Sequence, residues 1–383
     1  MKNDLSITSF TNARIVLADE IINGSLHACG GKVASVDLGG SAIPSAIDLE
    51  GDYLLPGLVE LHTDNFERHL LPRPKTTWPA LPALLGHDAE IATAGITTVF
   101  DALGVGDIDT QAMRGQDLGP VLEAMEQAVM RDLLRAEHRL HIRCELPAAN
   151  TRDLFRTLEG HPLVGLISLM DHTPGQRQWT DIEQARKYYT GKKGWSDTKF
   201  DQAVQEAVIL QQQYAIPNRE HFVAYASAKK IPLASHDDTL PQHVAEAKGE
   251  GVSISEFPTT VTAASAARAA GLSIIMGAPN VVRGGSHSGN VSALDLARRD
   301  LLDSLSSDYI PASLLMAAFR LTEGAGFSVP KAIATVSANP ARSVGLADRG
   351  EIKPGLRADL VQVRLDDGQP VVKAVWREGR RVV

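Results

Sequence analysis

The stretch Asp52 to Asp64, DYLLPGLVELHTD, constrains this chain more than any other. Apolar residues crowd Tyr53 to Leu61, with Pro56 and Gly57 breaking the run, so it reads as an extended segment entering a buried parallel strand. Two metal-type ligands follow. Residues two apart on a strand share a face, so His62 and Asp64 project together from its C-terminal end. Taken alone, an HxD triplet is more often a turn or a surface accident, and the rest of the chain has to decide between the readings.

Downstream, strand-like runs alternate with helical spacing, which implies a parallel sheet. Gly95 to Asp101 is a second β-branched run, Val121 to Glu137 has helical spacing, and Leu140 to Glu145 reads as the third strand. Leu163 to His172, Ile231 to His236, Val252 to Glu256, Ser273 to Met276 and Leu301 to Asp308 continue the series to an eighth. The expected fold is α/β, a (β/α)8 TIM-like barrel. Chemistry in such barrels sits at the C-terminal ends of the strands. Five of these runs end in His62/Asp64, Glu145, His172, His236 and Asp308. A lone strand-end histidine is usually a hydrogen-bonded core group, and a lone strand-end acid is often a helix cap. Five of the eight strands ending so are hard to assign to chance, and together they predict imidazoles and carboxylates converging on one rim.

Both termini read differently. Ser6 to Phe10, Ala13 to Leu17, Gly24 to Cys29 and Lys32 to Asp37 are short strands separated by turn residues, too few to stand alone. Ala358 to Arg364 and Val371 to Arg377 supply partners, around the turn Asp366-Asp367-Gly368. The expectation is a small β-sandwich domain built from residues 1–55 and 341–383, flanking a barrel over residues 56–340.

With 383 residues, 44% hydrophobic and 22% charged, the chain has the composition of an ordinary globular protein. No apolar run reaches the ~18 residues a spanning helix needs, and MKNDLSITSF has no apolar signal core. A cytoplasmic protein with no membrane partner is expected. Cys29 and Cys144 make no disulfide framework. The formal net charge of -8 argues against nucleic acid as a partner, so an anionic substrate needs a local basic cluster.

The string PGLVELHTD resembles the first-strand signature of the amidohydrolase superfamily, although Asp64 stands where that superfamily usually has a second histidine. Asn339 to Val363, NPARSVGLADRGEIKPGLRADLVQV, is similar to its closing signature. The resemblance implies divalent metal, zinc, as two ions. Glu145 would bridge them, with His62 and Asp64 on one side and His172 and His236 on the other. Asp308 would touch the nucleophilic water and take its proton. Relatives often bridge with a carboxylated lysine, absent from LISLMDH, and often carry a sixth-strand histidine where this chain has Glu256.

Three longer stretches, His62 to Pro79, Met170 to Lys192 and Met276 to Asn290, resemble the PhnM family of metallohydrolases of the carbon–phosphorus lyase pathway. That resemblance implies hydrolysis of α-D-ribose 1-methylphosphonate 5-triphosphate to the 5-phosphate and pyrophosphate. A homodimer is the expected assembly, with association with other phosphonate-pathway enzymes left open. A triphosphate needs many donors and charge neutralisation. Arg68, His69, Arg73 and Lys75 follow the first strand, and Gln176 and Arg177 follow the fourth. Arg283, Ser286 and His287 lie in a glycine-rich run whose N–H groups suggest an anion nest. Two alternatives stay open: a conventional amidohydrolase acting on a cyclic amide, N-acyl group or aminopurine, and a barrel that has lost its metals.

Overall fold

The computed structural model describes residues 7–73, 76–106, 118–177, 182–286 and 289–383. Strands β1 (Ile7–Val16), β2 (Ile21–Cys29), β3 (Lys32–Leu38), β4 (Ile47–Asp48) and β5 (Tyr53–Pro56) open the chain. Strands β6 (Leu58–Thr63), β7 (Ile96–Val105), β8 (Glu137–Glu145), β9 (Val164–Met170), β10 (Leu233–His236), β11 (Ile254–Glu256), β12 (Ser273–Gly277) and β13 (Ser304–Ser306) follow, with helices between them. The chain closes with β14 (Leu360–Asp366), β15 (Gln369–Arg377) and β16 (Arg380–Arg381). Among the described residues, no helix is long and apolar enough to cross a membrane. By internal contacts the chain divides into two compact units. The first gathers Met1–Asp101, Glu123–Arg139 and Met276–Val383, and the second Ala102–Leu122 and Leu140–Ile275.

Strands β6 to β13 form one eight-stranded sheet in chain order, a (β/α)8 barrel. Within it β7 is buried along its whole length, which is why its sequence is rich in β-branched and apolar residues without an alternating polar face. A parallel bridge from Thr63 to Asp308 returns the end of the last strand to the first.

The remaining strands form a second, mostly antiparallel sheet in the order β16-β15-β14-β5-β1-β2-β3, with β4 on β1. The N-terminal and C-terminal strands thus share one sheet, as their sequences predicted. They share one core too. Phe10 of β1 meets Trp376 of β15 edge to face, with ring centroids 4.8 Å apart, among Leu26, Leu54 and Leu360.

The structure corrects several boundaries. Residues around Asn12 form a bulge and not a turn: Asn12 takes a left-handed φ of 54°, and β1 runs on as one strand. Ser6 lies outside the described residues. The predicted helix Val121 to Glu137 is Gly119–Met130. It stops where Leu133 N–H bonds back to Ala128 O and Asp132 turns left-handed at 51°, freeing Glu137 to begin β8. The eighth strand contracts to Ser304–Ser306.

The opening stretch is not one strand either. Its break at Gly57 changes sheets: β5 pairs with β1 and β14, whereas β6 pairs with β7. Gly57 N–H donates to Asp359 O at 2.7 Å, drawing the tail against this point. A Cβ at residue 57 would stand 2.2 Å from Thr97 Oγ1 and 2.8 Å from Asp359 Cβ. Only glycine lets the chain cross there.

The tail is also anchored by charge at the start of β8. Glu137 accepts from Arg349 Nη1 at 2.7 Å and Arg357 Nη1 at 2.6 Å. Burial alone would raise the Glu137 carboxyl, but these guanidiniums prevail and hold it at about 2. An unfolded glutamate titrates near ~4.3. The folded group therefore titrates lower, so its contribution is full above that range and is lost as pH falls towards 2.

Two outcomes are expected. Gly57→Ala should cost roughly 1–3 kcal/mol by overpacking, with Thr97→Ala restoring part of it, as read by urea unfolding. Glu137→Gln should cost about 2 kcal/mol near neutral pH. In urea titrations across pH, its deficit against wild type should shrink as acid protonates Glu137 in the parent.

Candidate metal centre

Within the first compact unit, the site is built at the junction of β6 and the segment after β13. Asp64 N–H donates to Asp308 O at 2.7 Å, and Asp308 N–H donates to His62 O at 3.0 Å. This reciprocal pair clasps the two strand ends and turns Asp308 into a left-handed φ of 57°. Strain of that kind in a non-glycine residue concentrates at functional sites. The side chains gather accordingly. His62 Nε2 lies 3.8 Å from Asp64 Oδ1, and one ligand-type atom from each of His62, Asp64 and Asp308 falls within 4.8 Å of the others.

Beneath them lies a residue that sequence reasoning missed. Glu60 is fully buried; its Oε1 accepts His62 N–H at 2.7 Å and its Oε2 accepts Ser307 N–H at 2.6 Å. Burial pushes this carboxyl up to about 7, against the opposing pull of its Ser307 and His62 hydrogen bonds. One carboxylate thereby braces the residues before both halves of the clasp. The available signal was an acid inside an apolar strand, two residues before His62 and so on the same face.

Within the second unit, Glu145 ends β8, His236 ends β10, and His172 stands two residues past β9. Glu145 Oε2 lies 2.5 Å from His172 Nδ1, while Oε1 accepts His172 N–H at 2.9 Å. The His172 and His236 rings sit edge to face, centroids 5.5 Å apart. Asp237, also missed, completes the group: its Oδ2 is 2.9 Å from His236 Nδ1 and 3.9 Å from His172 Nε2. His172, His236 and Asp237 form a second cluster of ligand-type atoms within 4.8 Å.

The backbone device recurs here. Asp237 is left-handed at φ 58° and donates its N–H to Glu256 O at 2.9 Å. Phe257 is left-handed at 56° and donates to Ile275 O at 2.9 Å. In each case the residue just past a strand keeps the ladder bond while its side chain is re-aimed. Glu256, at the end of the sixth barrel strand, is fully buried and accepts Ser168 Oγ–H at 2.8 Å. Its Oε2 lies 3.7 Å from His236 Nε2. His141, four residues before Glu145 on β8, comes within 3.8 Å of Glu256 Oε1 and was not singled out by the sequence reading.

The expected phosphate donors fare differently. Arg68 donates to Asn65 Oδ1 at 3.1 Å and Tyr309 O at 2.7 Å, and His69 Nε2 lies 3.0 Å from Glu90 Oε2. Both thus hold protein groups. Arg177 is buried against Asp238, Ser235 Oγ and His236 O, where it supports the loop after β10. Arg73, Gln176 and Arg283 are exposed, and Ser286 is half-buried. Lys75 and His287 lie outside the described residues. The anticipated nest is spent in part: Gly284 N–H bonds to Val281 O and Gly285 N–H to Asn280 O, so both cap the helix Ala278–Arg283.

Residues 89–383 match the model of the amidohydrolase family. The chain is 48% identical over 373 residues to the alpha-D-ribose 1-methylphosphonate 5-triphosphate diphosphatase of Escherichia coli (strain K12), covering 97% of this chain and 99% of that one. An adenine deaminase of Desulfatibacillum aliphaticivorans is 25% identical over 369 residues, 92% of this chain and 54% of that protein. Among solved structures, N-acetyl-D-glucosamine-6-phosphate deacetylase from Mycobacterium smegmatis superposes with a TM-score of 0.63 at 16% identity, covering 98% of this chain and 100% of that one. At that identity it speaks for the fold alone. On the family model and the full-length relative together, this chain belongs to the amidohydrolase family.

Proposed function

We propose that this chain hydrolyses α-D-ribose 1-methylphosphonate 5-triphosphate to the 5-phosphate and pyrophosphate. The observation that carries the reading is the 48% identity across 97% of the chain to a diphosphatase named for that substrate. Family membership implies a divalent metal, and the residues fit one. Clustered imidazoles and carboxylates are the donor set that zinc-type ions take. The residues that would hold zinc are His62, Asp64 and Asp308 in one group and Glu145, His172 and His236 in the other. When bound, the metal supplies Lewis acidity and lowers the pKa of water towards roughly 7.

The chain's own residues do the rest. Water adds to the α or the β phosphorus, and the P–O bond from that phosphorus to the oxygen bridging the two breaks. The electron pair leaves with pyrophosphate on α attack and with the ribose 5-phosphate on β attack. The Asp308 carboxylate takes the water's proton. Its left-handed backbone and the clasp to His62 and Asp64 support that role by holding the side chain among the other ligand-type atoms. Arg73, Lys75, Gln176, Arg283, Ser286 and His287 are assigned to the polyphosphate as charged or hydrogen-bonding donors. A cytoplasmic homodimer, with association with other phosphonate-pathway enzymes, belongs to the same proposal.

Phosphorus NMR of zinc-loaded protein with the triphosphate in oxygen-18 water tests the reading, with metal-depleted protein as control. Metal-dependent pyrophosphate is expected, and the product bearing the heavy oxygen identifies the phosphorus attacked. An untouched triphosphate, with turnover of adenine or an N-acetyl sugar phosphate instead, would replace this reading by a deaminase or deacetylase one. Asp308→Asn and Glu145→Gln should each lower turnover by about 10²-fold or more. Wild-type turnover in either variant removes that residue from the assignment.

A further inference from the structure

We infer that Asn65, tied to Arg68 and backed by the buried His87 and Asp101 pair, is a positioning residue that holds Asp64 and Asp308 in place for metal binding. The inference rests on the metal reading above and concerns only how the chain presents its ligands.

Asn65 follows Asp64 directly and begins α1 (Asn65–Leu70), which packs beside α2 (Ala80–Thr93). Its side chain is fully buried, and a buried amide is costly unless both its N–H groups and its oxygen are matched. They are. Asn65 Oδ1 accepts Arg68 Nη1 at 3.1 Å, while Nδ2 lies 3.0 Å from His87 Nδ1 and 2.9 Å from Glu90 Oε2. Behind it the same matching continues inward. His87 Nε2 is 2.7 Å from Asp101 Oδ1, His138 Nδ1 is 2.8 Å from Asp101 Oδ2, and His138 Nε2 is 3.3 Å from Asp88 Oδ1.

The electrostatics favour one placement of protons along this chain. Although burial would raise it, Asp101 is held at about 2 by the two imidazoles, so it is an acceptor at both oxygens. His87 Nε2 therefore carries a proton, and burial lowers the His87 pKa and favours the neutral ring, which leaves Nδ1 to accept from Asn65. His138, despite its burial, is raised to about 9 by Asp101 and Asp88 and stays doubly protonated between them. His87, Asp101 and His138 also satisfy the spacing of a metal-binding trio. However, every nitrogen concerned already has a hydrogen-bonding partner, and all three side chains are fully buried. The cluster is a hydrogen-bonded brace.

The brace reaches both ligand-bearing segments. The Arg68 Nη1 that donates to Asn65 also donates to Tyr309 O at 2.7 Å, one residue past Asp308. Asn65 thus fixes the residue after Asp64 and, through Arg68, the residue after Asp308. The backbone bonds from Asp64 N–H to Asp308 O and from Asp308 N–H to His62 O close the loop. Fully satisfied buried networks of this kind are rigid, and groups behind a metal's ligands typically contribute 10–100-fold to its affinity.

The test is a chelator-competition titration of zinc into metal-depleted full-length protein, for wild type, Asn65→Ala, Arg68→Met and the double variant. Metal-free melting and KM for the triphosphate at saturating zinc are measured alongside. The expected result is a zinc dissociation constant raised roughly 10–100-fold in Asn65→Ala. Arg68→Met should weaken zinc by about threefold to tenfold, and the double variant should be little worse than Asn65→Ala, since both act through one chain of bonds. Unchanged zinc affinity with a lowered metal-free melting point would overturn the inference, showing a merely structural network. A raised KM in Arg68→Met with unchanged zinc affinity would overturn it too, returning Arg68 to the substrate. Should Asn65→Ala not fold, exposed Arg68 still carries the test. Wild-type protein that takes up no zinc would overturn the metal reading itself and this inference with it.

Discussion

The clasp between the first and last barrel strands is the constraint on which the rest of this molecule depends. Two backbone hydrogen bonds, Asp64 N–H to Asp308 O and Asp308 N–H to His62 O, join segments almost 250 residues apart in sequence. They place three ligand-type side chains together. Such a junction loses much chain entropy, and hydrogen bonds worth about 1 kcal/mol each would not hold it unaided. Glu60 adds the missing reinforcement from below, accepting the N–H groups of His62 and Ser307 with its two oxygens. The arrangement is economical because each brace also aims a side chain.

Among the described residues of the first compact unit, charged side chains gather in two matched groups. Asp88, Asp101 and His138 sit together with Arg135, and Glu137 sits with Arg349 and Arg357. Ion pairs of this kind contribute little net stability against an apolar replacement, yet removing one partner strands the other. What they supply is a single allowed geometry. The Glu137 group ties the tail to the start of β8, the end of the strand opposite Glu145. The Asn65 to Asp88 chain lies behind the first-strand ligands. Stability and ligand presentation are thus served by separate polar networks, which is why variants can be chosen to disturb one without the other.

Much of the fold was legible because the signals are local. Continuous β-branched runs separated by helical spacing specify buried parallel strands, and alternating runs at both termini specify a sheet of another kind. Errors fell where local chemistry permits two outcomes. Asn12 can make a turn or a bulge, and only pairing with β2 decides for the bulge. Pro56 and Gly57 could be a kink in one strand or a passage between two sheets. Contact with Thr97 and Asp359, neither near in sequence, makes it the passage.

The candidate site divides along the same line. Sequence alone marked imidazoles and carboxylates at or just past the ends of several barrel strands, because the apolar runs that specify those strands stop at His62, Glu145 and His236. Tertiary structure decided what each one touches. It made Glu60 a brace and Asp237 a neighbour of two histidines, turned Arg68 and His69 from expected phosphate donors into protein-bound groups, and spent the Gly284 and Gly285 N–H groups on a helix end. Periodicity reports only direction along one segment. Partnership depends on the register between segments far apart in the chain, and that register exists only once the strands have paired.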